Sequence, residues 1–121
     1  MTNNQLIQAL LTLPESIRAT ELAIIQLEEK RRQMEFELDS RKADLLTQVD
    51  GPINGKNAEI REAQLHIHLL PQRILIADVE KQIAEQKVQL RYLHLLHRSN
   101  LAIASMLSAD TTSLGEPPNI G

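Results

Sequence analysis

Four histidines, His66, His68, His94 and His97, are the side chains here best suited to hold a metal. His94 and His97 stand three apart, a spacing that on a helix turns both rings toward one ion. His66 and His68 stand two apart and diverge. No Asp, Glu or Cys adjoins His94 and His97 in sequence, so Glu15 or a partner chain would have to complete a coordination shell. The plainer reading makes His97 a polar residue of a helical seam, where one buried polar side chain can set register. A second candidate is the basic cluster Lys30-Arg31-Arg32 with Arg41-Lys42, which has the charge to touch phosphates. The intervening Glu28, Glu29, Glu35, Glu37 and Asp39 nearly cancel it, and no aromatic platform for base stacking accompanies it. Direct nucleic-acid binding is therefore disfavoured. Catalytic signatures are missing too. Gly55-Lys56 is followed by Asn57 where a phosphate-binding loop needs Ser or Thr, and no nucleophile elbow is present. No catalytic residue, metal or cofactor is expected, and the chain reads as not an enzyme.

The elements that carry these residues are helices. The chain has 121 residues, enough for one domain, and is 42% hydrophobic but only 2% aromatic, Phe36 and Tyr92 being its aromatic residues. Abundant Leu, Ile, Ala, Glu, Gln, Lys and Arg with so few rings favour helices packed side by side over a ring-filled core. Net charge is −3 with both signs interspersed, which suits neither a strongly basic nucleic-acid binder nor an acidic tail. There is no cysteine, which excludes disulfides and thiolate chemistry. No apolar run approaches the roughly 20 residues that cross a bilayer, and Met1-Thr2-Asn3-Asn4 lacks the features of a signal peptide. The expectation is a cytoplasmic protein with no membrane contact.

One stretch breaks the helical pattern in mid-chain. Asp50-Gly51-Pro52-Ile53-Asn54-Gly55-Lys56-Asn57 gathers two glycines, a proline and two asparagines, each a turn-former for its own reason. The chain should fold back there as an all-α, elongated antiparallel hairpin over residues 1–108. The spacing predicts helices at about 5–13, 15–49 and 57–107, a turn at 50–56 and a flexible tail at 109–121. Asn3 or Asn4 is the expected cap of the first helix, and Pro14 its end or bend. Gly51, Pro52 and Gly55 shape the turn, Asn57 caps the last helix, and Glu59 lies where the helix dipole favours negative charge. Pro71 should bend that helix.

The apolar seam follows heptads. On the first arm the a positions are Leu10, Ile17, Ile24, Arg31, Leu38 and Leu45, and the d positions Leu6, Leu13, Thr20, Leu27, Met34, Arg41 and Gln48. On the second, a is Leu69, Ile76, Ile83, Leu90, His97 and Ala104, and d is Leu65, Gln72, Val79, Gln86, Leu93, Asn100 and Leu107. The phase passes through both prolines unbroken, which favours kinks over fresh starts. Folding about the turn sets Ile24 against Ile83, Leu38 against Leu69, and Ile17 against Leu90.

A further apolar row, Ile67, Leu70, Ile74, Ala77, Ala84, Val88 and Leu95, interrupted by Lys81 and Arg91, occupies the f and b positions, away from the seam. Leu22, Ile25, Phe36, Ala43 and Leu46 form a weaker counterpart on the first arm. A lone hairpin would leave both rows in water. The natural remedy is a homo-oligomer, a dimer or higher bundle, formed through the second arm's row, where Ala77 and Ala84 permit close approach.

The stretch Gly55-Lys56-Asn57-Ala58-Glu59-Ile60-Arg61-Glu62-Ala63-Gln64-Leu65, between coiled-coil-like arms, resembles the turn motif of small helical proteins of phages and prophages. The leucine-rich ending, with Leu90, Leu93, Leu96 and Arg98, is similar to theirs. That group has no assigned function. The resemblance implies at most an accessory role in phage DNA metabolism, since the group's genes often sit near recombination and single-strand-binding genes. The same motif reads mechanically as a cap and a slim turn, or as a tip where a protein partner docks. Three functions follow as expectations. The first is a non-enzymatic structural or interaction module that self-associates. The second is a nucleic-acid-associated accessory factor of recombination or replication. The third is a phage assembly or scaffolding component.

Overall fold

The computed structural model describes residues 1–115, with side chains for 1–110. Among the described residues there are two helices and no strand: α1, Asn3–Thr47, and α2, Ala58–Gly115, which pack against each other as a hairpin. Of the 13 basic and 16 acidic residues of the chain, most lie on these helices with their side chains in water, as a two-layer packing requires.

The first helix starts one residue earlier than Asn3 or Asn4 would allow as caps. Thr2 is the cap. Its hydroxyl oxygen accepts from the Gln5 amide at 3.1 Å, and the Gln5 side-chain oxygen accepts from the Thr2 amide at 2.8 Å. This reciprocal pair satisfies two orphan donors of the helix start. The Leu6 amide then donates to the Thr2 carbonyl at 3.0 Å, the first helical bond. Asn57 opens α2 in a simpler way, its Oδ1 accepting from the Ile60 amide at 2.9 Å.

The separate helices 5–13 and 15–49 are one helix, because α1 runs through Pro14 without interruption. Proline removes a single ladder bond, the one to the Leu10 carbonyl. Leu13 and Ile17, on either side of it, are both buried against Leu93, so packing holds the helical phase where propensity alone would end it. Likewise α2 contains Pro71 and continues past residue 107 to Gly115. The backbone of 109–115, expected as the start of a flexible tail, is helical. The remainder of that expectation, 116–121, lies outside the described residues. At the other end, α1 stops at Thr47, two residues before 49, and Asp50 takes a left-handed φ of 56°. Aspartate is one of the few residues besides glycine that tolerates this region.

The chain divides into two compact units. In the unit Ala23–Gln86, the buried apolar residues are Ile24, Leu45, Leu69, Ile76, Val79 and Ile83. Leu69 is fully enclosed at 0% exposure, a burial worth about 1.5–3 kcal/mol. The other unit joins Met1–Leu22 with the chain from Lys87 onward. There Leu13, Ile17 and Leu93 form a cluster, with Ala9, Leu90 and Leu96 packed against it. Leu6 and Asn100 are buried in the same unit.

Every buried residue among those described stands at an a or d position of the heptads, and most other seam positions are half-buried. Ile17 and Leu90 fall in one cluster, in keeping with the pairing expected for them. Arg41, Gln48 and Leu107 are the exposed exceptions. Gln48 lies beyond the end of α1, and Arg41 can keep its charged head in water.

Candidate functional site

Two surfaces have the makings of a site: the turn that joins the helices and the outward row of α2. The turn is the better ordered by hydrogen bonds. Gln64, in the second turn of α2, reaches back to it. Its Oε1 accepts from the amides of Asn54 at 3.0 Å and Gly55 at 2.9 Å, while its Nε2 donates to Asn54 Oδ1 at 3.0 Å. Arg61 adds a long contact from Nη1 to the Gly55 carbonyl, 3.4 Å. Loop amides that would otherwise need water are thereby tied to the first turns of the helix. Gly55 is required by close approach. A Cβ there would lie 2.8 Å from Ile60 Cβ and 3.1 Å from the Arg61 nitrogen. At Gly51 it would meet Gln48 Cβ at 2.7 Å. Pro52 and Ile53 are half-buried beside these glycines, whereas Asn57 and Glu59 are exposed.

Sequence reasoning placed Gly51, Pro52, Gly55, Asn57 and Glu59 at this turn but passed over Asn54 and Gln64. The available signal was spacing. Gln64 lies seven residues after Asn57, two turns along one helix face, which lets a long amide side chain fold back over the cap.

The outward row presents no polar chemistry, only apolar area. Ile67 is 67% exposed, Ile74 58% and Val88 62%, and Leu70, Ala77, Ala84 and Leu95 are exposed as well. On α1, Leu22, Ile25, Phe36, Ala43 and Leu46 are also exposed. Scattered surface leucines are ordinary; an apolar row recurring every three or four residues on one helix is less so.

The remaining candidates stand apart from these surfaces. His66, His68 and His94 are exposed and His97 is half-buried, with its Nδ1 enclosed and lacking a hydrogen-bond partner. Among the described residues no group of three His, Cys, Asp or Glu side chains is arranged to hold a metal. Arg32 pairs with Glu29 at 2.5 Å, both largely in solvent, and Arg31 is half-buried with its Nε enclosed. The basic cluster thus gives up part of its charge to neighbours on its own helix. In the unit that contains both ends of the hairpin, a groove of about 340 Å³ lies among Asn3, Leu6, Ile7, Leu10, Ala104, Leu107 and Ser108. None of these residues is charged or a histidine, so the groove offers apolar contact and no acid or base. No described helix is long and apolar enough to cross a membrane. Compared with protein-family models, with curated proteins and with solved structures, the chain matches none of them.

Proposed function

We propose that this chain is a non-enzymatic interaction module, of phage or mobile-element derivation, that self-associates in the cytoplasm through the outward row of α2. The observation that carries this reading is the exposure of Ile67, Ile74 and Val88 on a helix whose other apolar row is already buried. Burying a side chain of that kind is worth about 1.5–3 kcal/mol. A second copy is the commonest way to achieve it, because a face that is complementary to itself needs no other gene product.

Light scattering at micromolar concentration tests the reading, with the oligomer expected to be a dimer or larger. Ile74→Glu places a charge in the row and should shift the population to monomer while leaving helicity intact by circular dichroism. A wild-type chain that stays monomeric up to high concentration overturns the reading. A salt titration of DNA binding separates it from a nucleic-acid-associated role. With Arg32 paired and Arg31 partly enclosed, no binding is expected even at low salt. Tight binding that weakens steeply as salt rises would favour the accessory-factor reading instead.

A further inference from the structure

Asn54 is followed by Gly55, the one asparagine–glycine pair in the chain. Such a pair is chemically labile. The glycine nitrogen can attack the asparagine's side-chain amide carbon, and glycine has no Cβ to hinder the attack. The turn cannot shed the hazard by replacing Gly55, because a Cβ there would lie 2.8 Å from Ile60 Cβ and 3.1 Å from the Arg61 nitrogen. Asn54 is exposed, so burial does not shield it from water. What engages the pair is Gln64. Its Oε1 accepts from the Asn54 amide at 3.0 Å and from the Gly55 amide at 2.9 Å, and its Nε2 donates to Asn54 Oδ1 at 3.0 Å. One side chain thus holds both the attacking nitrogen and the group it would attack.

We propose that Asn54 is a latent deamidation site and that Gln64 holds it closed. In the first step the Gly55 nitrogen gives up its proton and bonds to Asn54 Cγ. The bond from Cγ to Nδ2 breaks, and that nitrogen takes up the proton and leaves as ammonia. Water then opens the five-membered imide at one of its two carbonyls, giving aspartate or isoaspartate. Gln64 opposes the first step in two ways. The proton that must leave is the one donated to Oε1, and a deprotonated nitrogen would face the negative end of that carbonyl instead. The second is positional. The Gly55 N–H lies in the peptide plane and points at Gln64, whereas attack uses the face perpendicular to that plane. Tying Oδ1 to the same Gln64 draws the Asn54 side chain toward the edge and away from the face. Donation to Oδ1 alone would polarise Cγ and favour attack. The protection therefore resides in the Oε1 acceptor and in the fixed position of the side chain. The inference concerns the turn and does not depend on self-association. Isoaspartate would add a methylene to the main chain between the two amides that share Oε1, so the modification undoes the clasp that delays it.

Folded wild type, wild type unfolded in concentrated urea, Gln64→Met and Arg61→Ala are incubated at mildly alkaline pH, each folded sample well below its melting temperature. Tryptic fragment 43–56, in which Asn54 is the one asparagine, is then sequenced by mass spectrometry for conversion of amide to acid. Gln64→Met keeps the length of the side chain and removes its hydrogen bonds. Arg61→Ala removes the other contact to this loop, at the Gly55 carbonyl. Folded wild type is expected to convert about tenfold more slowly than the unfolded chain, the effect of about 1.4 kcal/mol on a barrier. Gln64→Met should recover most of that difference, and Arg61→Ala should stay near wild type. Equal rates in folded and unfolded wild type overturn the inference, and that comparison needs no variant. So does a Gln64→Met that converts no faster than wild type with helicity intact by circular dichroism. An Arg61→Ala as fast as Gln64→Met would make general loosening of the turn the cause and sink the specific role of Gln64.

Discussion

Helix α2 carries two apolar rows with opposite fates. The inward row, Leu69, Ile76, Val79, Ile83 and Leu93, is buried against α1. The outward row, with Ile67, Ile74, Val88 and Leu95, is built of the same residue types at the same kind of spacing and stands in solvent. Hydrophobicity and periodicity say that a row wants covering; they do not say by what. The inward row has its cover within the chain, supplied by the turn at Asp50–Asn57. Among the described residues the outward row has none.

The contrast can be broken by substitution. The largest effect is expected at the inward row. Leu69→Ala empties the most enclosed position and should cost about 2–5 kcal/mol in urea unfolding. The loss should be the same at every protein concentration, because the cavity lies within one chain. A loss below that of an exposed residue would mean that α1 does not cover this row in solution.

A smaller effect of the opposite sign is expected at Asn100. It is only 2% exposed, and its Nδ2 has no hydrogen-bond partner. An enclosed amide donor without a partner carries its desolvation cost unrepaid. Asn100→Leu, close in size, should therefore raise stability by about 1 kcal/mol, read as a higher melting temperature. Destabilisation instead would place a hydrogen-bond acceptor at that nitrogen. The gain should come with looser register, since a single polar residue in a seam penalises misaligned pairings.

The smallest effect on the chain itself is expected at the outward row. Val88→Ser should change the stability of the isolated hairpin by less than about 0.5 kcal/mol. At higher concentration it should lower the melting temperature progressively against wild type, because the lost contacts are between copies. A concentration-independent loss as large as that at Leu69 would place Val88 inside the chain's own core and erase the distinction between the rows.

Much of this was legible in the amino-acid order, and the misses have physical causes. Heptad phase located every buried residue among those described, because the helix period leaves one inward face once the turn is placed. Pro14 was read as the end or the bend of a first helix, and α1 runs through it. Its cost is one ladder bond, and the burial of Leu13 and Ile17 outweighs that. The cap was assigned to Asn3 or Asn4, while Thr2 and Gln5 do the capping together. Both asparagines are good caps by type, so only the actual hydrogen bonds distinguish them from the reciprocal pair one residue earlier. Gln64 went unnoticed at the turn because an amide side chain inside a helix usually points to water. Its partnership with Asn54 and Gly55 exists only after the loop has folded back over the helix start.

Local order along the chain was enough to specify two helical arms, the break between them and the face each arm turns inward. These follow from backbone preference and from a repeat of 3.6 residues, both short-range. The folded hairpin settled what depends on distant residues meeting. Pro14 could be carried through a helix because Leu13 and Ile17 on either side of it pack against Leu93 of the opposite arm. A glutamine could close the turn. Asn100 became enclosed without a partner for its amide nitrogen. Each of these depends on what stands across from a residue, and a one-dimensional pattern does not contain that.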